Sequence, residues 1–303
     1  MSEDLRHECG VAALYRLRPA AAGPPPADES SITGALTGLL LDLQNRGQLA
    51  AGISTYQPQR PQLIATFKDV GTVNEVFCLS RPAACRELLN AYAGCAGIGH
   101  TRYATSGADD ARYAQPFERR DGRKWEWFSF AFNGQLANYG DLRERRMRQQ
   151  GYHFSLDTDT EIVMQALAHG LRGDRRPALQ RVMQKAARMF DGAYNVAFLD
   201  GLGRMFVARD PQGFRPMHWA VRDGLFGAAS ESVALTNAGF EDVRALAPGT
   251  MVLIDGGRLR LARFAPAAPP HRARAAAPHG VRRGLGWPLP APHPHRAVHL
   301  HRI

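Results

Sequence analysis

The chain has 303 residues, 45% hydrophobic and 22% charged, enough for one large domain or two modest ones. No apolar run approaches the roughly 20 residues of a membrane helix. The polar start MSEDLRHE does not read as a secretory signal, and Cys9, Cys78, Cys85 and Cys95 form no CxxC pair, so zinc and disulfide scaffolds are disfavoured and a reducing, cytoplasmic location is the default. Nor does the net charge of +10 mark a nucleic-acid binder: six of the 38 basic residues fall in residues 264–303, which hold no acid, leaving 32 bases against 28 acids elsewhere.

In chain order, VAALY (11–15), AGISTY (51–56), LIATF (63–67), WFSFAF (127–132), YNVAFLD (194–200), RMFVARD (204–210) and TMVLID (250–255) read as strands. Ile32, Leu36, Leu39, Leu40 and Leu43 repeat at helical spacing, as do Ile162, Leu167 and Leu171, and Leu179, Val182, Met183 and Ala186. Ser31 or Ser30 is placed to cap the first helix, and Asp157 or Thr158 the second. Strands cluster and helices come singly, which predicts packed sheets covered by helices rather than a βαβ repeat. Residues 18–29, with AAAGPPP, read as a surface loop. In residues 264–303, nine Ala, eight Pro, six His and six Arg make up 29 of 40 positions. Such a segment buries too little apolar surface to offset its ordering entropy and reads as a disordered end. An out-of-frame GC-rich gene end would have the same composition. A basic tether fits less well, since Lys is absent and Pro dilutes the Arg, and the six His have no fixed metal geometry.

Chemistry concentrates in five segments. Cys9, in HECGVAALY, is by itself either a small core residue opening a strand or a nucleophile at a processed terminus. Removal of residues 1–8 would leave a thiol and an α-amine on one residue. The amine's reference pKa of roughly 7.7–8.0 lets it accept a proton without a separate histidine. In LLLDLQNRGQLAAGIST (39–55) a helix ends at Asn45-Arg46-Gly47, with Gly47 as its stop. GIGHTRYATSG (97–107) sets Arg102, Tyr103 and Thr105 at a strand end, where an Arg either is solvated or clamps a carboxylate. Asn133-Gly134, in FAFNGQLANYGDLR (130–143), reads first as a hairpin turn, and otherwise as an oxyanion hole. Asp157 and Asp159, in SLDTDTEIVMQALAHG (155–170), precede a helix, as caps or as a site for a substrate ammonium.

Together and in this order, these segments resemble the glutaminase domain of the class II glutamine amidotransferases, which are N-terminal-nucleophile hydrolases. RDPQGFRPM (209–217) and AASESVAL (228–235), with LAPGTMVLI (246–254), are most similar to the amidophosphoribosyltransferase family, which acts at the first committed step of purine biosynthesis. The resemblance covers residues 9–254. It implies an α+β fold, a four-layer α/β/β/α sandwich of two mainly antiparallel sheets over residues 9–260, with residues 1–8 as a propeptide. It further implies that Cys9 attacks the glutamine carboxamide, that Asn133 and Gly134 donate to the oxyanion, and that Arg46 lies near Cys9 and favours its thiolate. Arg102, assisted by Thr105, would hold the α-carboxylate, Asp159 the α-ammonium, and Tyr103 would belong to a closing loop.

The sequence also departs from the family. Asn45 stands where the family has His. No acidic-aliphatic phosphoribosyl pyrophosphate loop is present, so a phosphoribosyltransferase domain is not expected here, and Mg2+ would belong only to that domain. No Cys follows Cys95, so iron–sulfur ligation is not expected, and no other cofactor or metal is. The expected partner is glutamine as substrate. A homo-oligomer stays open; membrane and nucleic acid are not expected. Two alternatives stay open: a free-standing glutaminase subunit of another amidotransferase, and an inactive glutamine-binding product.

Overall fold

The computed structural model describes residues 9–17, 31–103, 110–150, 154–156 and 158–267. The expected propeptide (1–8), the whole of the expected 18–29 loop, Ser30, Thr105, Asp157 and residues 268–303 therefore lie outside the described residues. The first half of the chain runs β1 (Gly10–Arg16), α1 (Thr33–Asp42), β2 (Ala50–Tyr56), β3 (Ile64–Val70), α2 (Val73–Val76), α3 (Pro82–Ala91) and β4 (Ala96–Arg102). Next come β5 (Phe117–Arg119), β6 (Phe128–Leu136), α4 (Tyr139–Gln150), α5 (Asp159–Leu171) and α6 (Leu179–Ala187). The chain continues with β7 (Gly192–Asp200), β8 (Met205–Arg209), β9 (His218–Arg222), β10 (Leu225–Ala229), α7 (Ser232–Asn237), β11 (Arg244–Ala245), β12 (Thr250–Asp255) and β13 (Arg258–Arg263).

The strands form two sheets, in the orders β11-β9-β10-β1-β4-β2-β3 and β13-β12-β8-β7-β6-β5. Their pairings are antiparallel throughout. Three buried clusters separate four layers. Leu36, Leu39 and Leu40 of α1, with Leu235 of α7, pack on the outer face of the first sheet. Ile162 and Leu167 of α5 and Val182 and Met183 of α6 pack on the outer face of the second. Val11, Ala13, Ile98, Ala131, Ala197 and Val207 fill the space between. The fold is thus the expected α+β sandwich. Strands covered on both faces have no polar side to show, which is why VAALY and YNVAFLD are apolar almost throughout.

Alternation within strands decides which residues face the gap. In β1, Val11 and Ala13 point between the sheets while Ala12 and Leu14 meet the helices. In β4, Ile98 is inward, and the alternate Gly97 and Gly99 lie under α1: a Cβ at Gly99 would come within 2.9 Å of Leu40. Glycine there lets a leucine-rich helix sit directly on the strand. A polar seam also crosses the gap. Ser54 Oγ lies 2.7 Å from Ser129 Oγ of the opposite sheet and 2.8 Å from Thr66 Oγ1. Thr66 donates to Glu118 at 2.6 Å, and Glu118 also accepts the Trp127 indole N–H at 2.8 Å.

Several local expectations are corrected. Asn133-Gly134 is no hairpin turn; both lie inside β6, paired with Asn195 and Tyr194 of β7. Gly47 is extended at φ −167° rather than a left-handed helix stop, and α1 instead gives way to a short 3-10 turn at Gln44–Arg46. Ile32 occupies the N-cap position of α1, although the Ser31 hydroxyl accepts the Thr33 N–H at 3.4 Å. Thr158 caps α5 by position but makes no capping hydrogen bond. Phe264 is buried in the cluster beneath α5 and α6, so the fold runs past residue 260 and past the compositional break at 264. No helix among the described residues is long and apolar enough to cross a membrane.

His100 is inward on β4 and fully buried. Burial pushes its pKa down to about 3, against a contact to the Phe132 backbone and with Arg102 and Lys68 acting in the same sense as burial. The unfolded chain therefore binds one more proton than the fold between pH 6.5 and 3, and stability falls as pH drops through that window. In urea titrations, His100→Leu should flatten the pH dependence there by up to about 1.4 kcal/mol per pH unit relative to wild type.

Candidate active site

Cys9 immediately precedes β1, and the register Gly10↔Thr101 sets it beside Arg102 and Tyr103 at the end of β4. Its parity is that of Val11, so it faces the gap. Arg102 shares the parity of Ile98, and Asn133 that of Ala131. Three residues distant in sequence thus converge at one mouth of the inter-sheet layer.

A cleft there is lined by Cys9, Arg102, Tyr103, Gly134, Thr158 and Asp159, together with Tyr113 and Gln115. Cys9 Sγ receives the Tyr103 N–H at 3.5 Å. Arg102 is 8% exposed and lies over the Tyr113 ring, 5.3 Å from its centroid. Asp159 is the first residue of α5, where the helix dipole favours a carboxylate, and its Oδ2 accepts the Leu136 N–H at 3.2 Å. A guanidinium and a carboxylate therefore stand in one cleft with a thiol.

The Cys9 carbonyl is held by two donors, Asn133 Nδ2 at 2.6 Å and Arg46 Nε at 3.1 Å. Arg46 is itself tied to Glu231, at the N-terminus of α7, by a 2.8 Å ion pair. Burial pushes the thiol pKa up; the Tyr103 N–H opposes it, followed by the charges of Arg215, Arg102 and Arg46. Arg46 thus acts chiefly on the Cys9 backbone and is the smallest of these influences on the sulfur. Burial also raises the Asp159 pKa, opposed by the N–H groups of Leu136, Thr160 and Asp159 itself and by Arg215.

The cleft unites Cys9, Arg102, Tyr103, Gly134 and Asp159, with Asn133 and Arg46 against the Cys9 backbone. Thr105 lies outside the described residues. Sequence reasoning passed over Arg215, whose charge reaches both Cys9 and Asp159; its only signal was membership of the RDPQGFRPM motif. Among the described residues no group of three or more His, Cys, Asp or Glu is arranged to hold a metal ion.

Residues 100–237 match the glutamine amidotransferase domain family. Over those residues the chain is similar to the glutamine amidotransferase domain, and its sandwich is close to the N-terminal-nucleophile hydrolase fold of that family. Among the proteins similar to this chain are amidophosphoribosyltransferases. It is 35% identical over 257 residues to that of Escherichia coli, covering 81% of this chain and 46% of the relative. Identity to the chloroplastic amidophosphoribosyltransferase 1 of Arabidopsis thaliana is 33% over 254 residues, covering 84% and 40%. The glutamine phosphoribosylpyrophosphate amidotransferase of B. subtilis superposes with a TM-score of 0.68 at 27% identity, over 85% of this chain and 49% of that one. The chain thus spans less than half the length of these relatives.

Two glycines pack tightly against backbone, Gly134 in the cleft lining and Gly47 behind Arg102. A Cβ at Gly47 would meet the Arg102 carbonyl carbon at 2.5 Å, and one at Gly134 the Ala193 carbonyl oxygen at 2.5 Å. Backbone cannot give way as a side chain would. Gly47→Ala and Gly134→Ala should each lower unfolding free energy by about 1–3 kcal/mol. Gly38→Ala, on the exposed face of α1 with open space around it, should raise it by about 0.5–1 kcal/mol. Urea denaturation of the three variants checks both signs.

Proposed function

We propose that this chain hydrolyses glutamine to glutamate and ammonia through a thioester at Cys9, as the glutaminase half of an amidophosphoribosyltransferase that serves purine biosynthesis. The observation that carries the proposal is the single cleft holding Cys9, Arg102 and Asp159. An amino acid is a zwitterion, and opposite charges in one small site select it over a simple amide. Arg102, aided by Thr105, holds the α-carboxylate and Asp159 the α-ammonium, which sets the side-chain carboxamide toward Cys9. Tyr103 belongs to the segment that closes over bound glutamine.

A thiol whose pKa is raised by burial needs a base. Cleavage after Glu8 supplies it as the α-amine of Cys9. The amine takes the thiol proton as sulfur bonds to the carboxamide carbon, and the oxyanion so formed accepts hydrogen bonds from Asn133 Nδ2 and the Gly134 N–H. The C–N bond then breaks, and the amine returns the proton to the departing ammonia. Water adds to the thioester, the C–S bond breaks, and glutamate leaves with the thiol restored. No metal or redox step is required.

Mass spectrometry of the active protein should find it eight residues shorter, with Cys9 at its start; full glutaminase activity in an uncut chain would refute the terminal-amine mechanism. Cys9→Ala should abolish glutamate release and labelling by a diazo-ketone glutamine analogue. Asp159→Asn should raise the glutamine KM at least about 30-fold, which corresponds to the ~2 kcal/mol lower bound for breaking a hydrogen-bonded charge pair. For the wild type, kcat/KM should rise with pH through roughly 7.7–8.0 as the amine loses its proton. A profile flat across that range would count against the amine as base.

A further inference from the structure

Asn133 is 1% exposed and engaged at both ends of its amide. Nδ2 donates to the Cys9 carbonyl at 2.6 Å, and Oδ1 accepts from Arg215 Nη1 at 3.0 Å. A primary amide is nearly symmetric in shape, so packing alone does not choose between its two orientations; the hydrogen-bond network does. A guanidinium only donates. With Arg215 on one side, the flipped amide would set donor against donor there and turn an oxygen lone pair toward Cys9.

The loop that carries Arg215 is held at several points. The Arg209 guanidinium donates to the carbonyls of Arg215 (2.7 Å), Gly213 (2.6 Å) and Leu246 (2.8 Å). Buried Asp210 accepts the N–H groups of Gln212 (2.8 Å) and Gly213 (2.6 Å). Asn195, the cross-strand partner of Asn133, donates to the Pro216 carbonyl at 2.8 Å. Gly213 makes the turn at φ +68°, which suits glycine. Each polar residue of the RDPQGFRP segment named here thus helps to hold the main chain on either side of Arg215.

We propose that Arg215 is a positioning residue that fixes the orientation of the Asn133 amide, so that its N–H edge faces the reacting centre, and that the 209–217 loop serves to hold it. The inference rests on the oxyanion role proposed for Asn133. It adds a residue that acts through Asn133 without touching the reacting atoms. Its guanidinium also polarises the amide, which strengthens the opposite N–H as a donor.

The test uses the processed protein and glutamate γ-semialdehyde, whose aldehyde carbon accepts the Cys9 sulfur to give a hemithioacetal that presents an oxyanion-like oxygen. Arg215→Gln should lower kcat by about 100-fold, the scale of losing one oxyanion donor, with the glutamine KM within threefold of wild type. Aldehyde affinity should fall by the same factor, and Arg215→Lys should recover part of both. In an Asn133→Ala background, Arg215→Gln should have no further effect on aldehyde affinity, a non-additivity that loss of structure alone would not produce. An additive loss in the double variant, or a raised KM with unchanged kcat, would overturn the proposal. If the wild type takes up no aldehyde, the glutaminase reading fails, and the Asn133 side-chain NH2 resonances decide the inference. Exchange protection of those protons that is lost in Arg215→Gln keeps the proposal; protection that is unchanged removes it.

Discussion

The site depends on the two-residue period of three strands that end at the same mouth of a sandwich. Cys9, Arg102 and Asn133 each continue the parity of an inward neighbour, namely Val11, Ile98 and Ala131. The pairing Gly10↔Thr101 brings the first two side by side. A slip of one residue between β1 and β4 would turn one of them to the helical face. The slip is opposed along the whole strand, because either Val11 and Ala13 or Ile98 would then leave the inter-sheet core. Core packing and site geometry are thus held by one register.

Much of this was legible in the sequence. Continuous apolar runs marked strands buried on both faces, and Leu spacing marked α1, α5 and α6. What escaped was context that only a partner strand supplies. Asn133-Gly134 has the composition of a tight turn, yet Phe130 and Phe132 before it pack under α5 and bind it into β6. Gly47 looked like a helix stop because it follows a leucine-rich helix. Its reason is the Arg102 backbone, some 55 residues away in sequence, which leaves no room for a Cβ. Short strands such as His218–Arg222 and Leu225–Ala229 carry too few residues to show a period. They exist because β1 offers an edge to Leu225–Ala229, which in turn offers one to His218–Arg222.

The candidate residues separate along the same line. Cys9, Arg102 and Asp159 were singled out in the sequence because the ordered motifs that hold them resemble the class II glutamine amidotransferases, whereas each alone reads equally as a core residue, a solvated loop or a helix cap. Arg215 was not, since its importance comes from aiming at one oxygen across 82 residues of sequence. Glu231 is similar: it steadies Arg46 from the start of α7, and nothing in SESVAL announces that. Residues that touch other residues, rather than ligand, become visible only in three dimensions.

The hydroxyl pair Ser54–Ser129, continued through Thr66 and Glu118 to Trp127, joins two sheets whose other contacts are largely greasy. Apolar faces can glide over one another at little cost, because dispersion has no preferred direction. Interlocked hydroxyls cannot, since any sideways travel strands buried oxygen atoms. This chain of contacts therefore works as a dowel between two boards: the sheets resist shearing, and the gap at whose mouth Cys9 sits keeps its width while a ligand comes and goes.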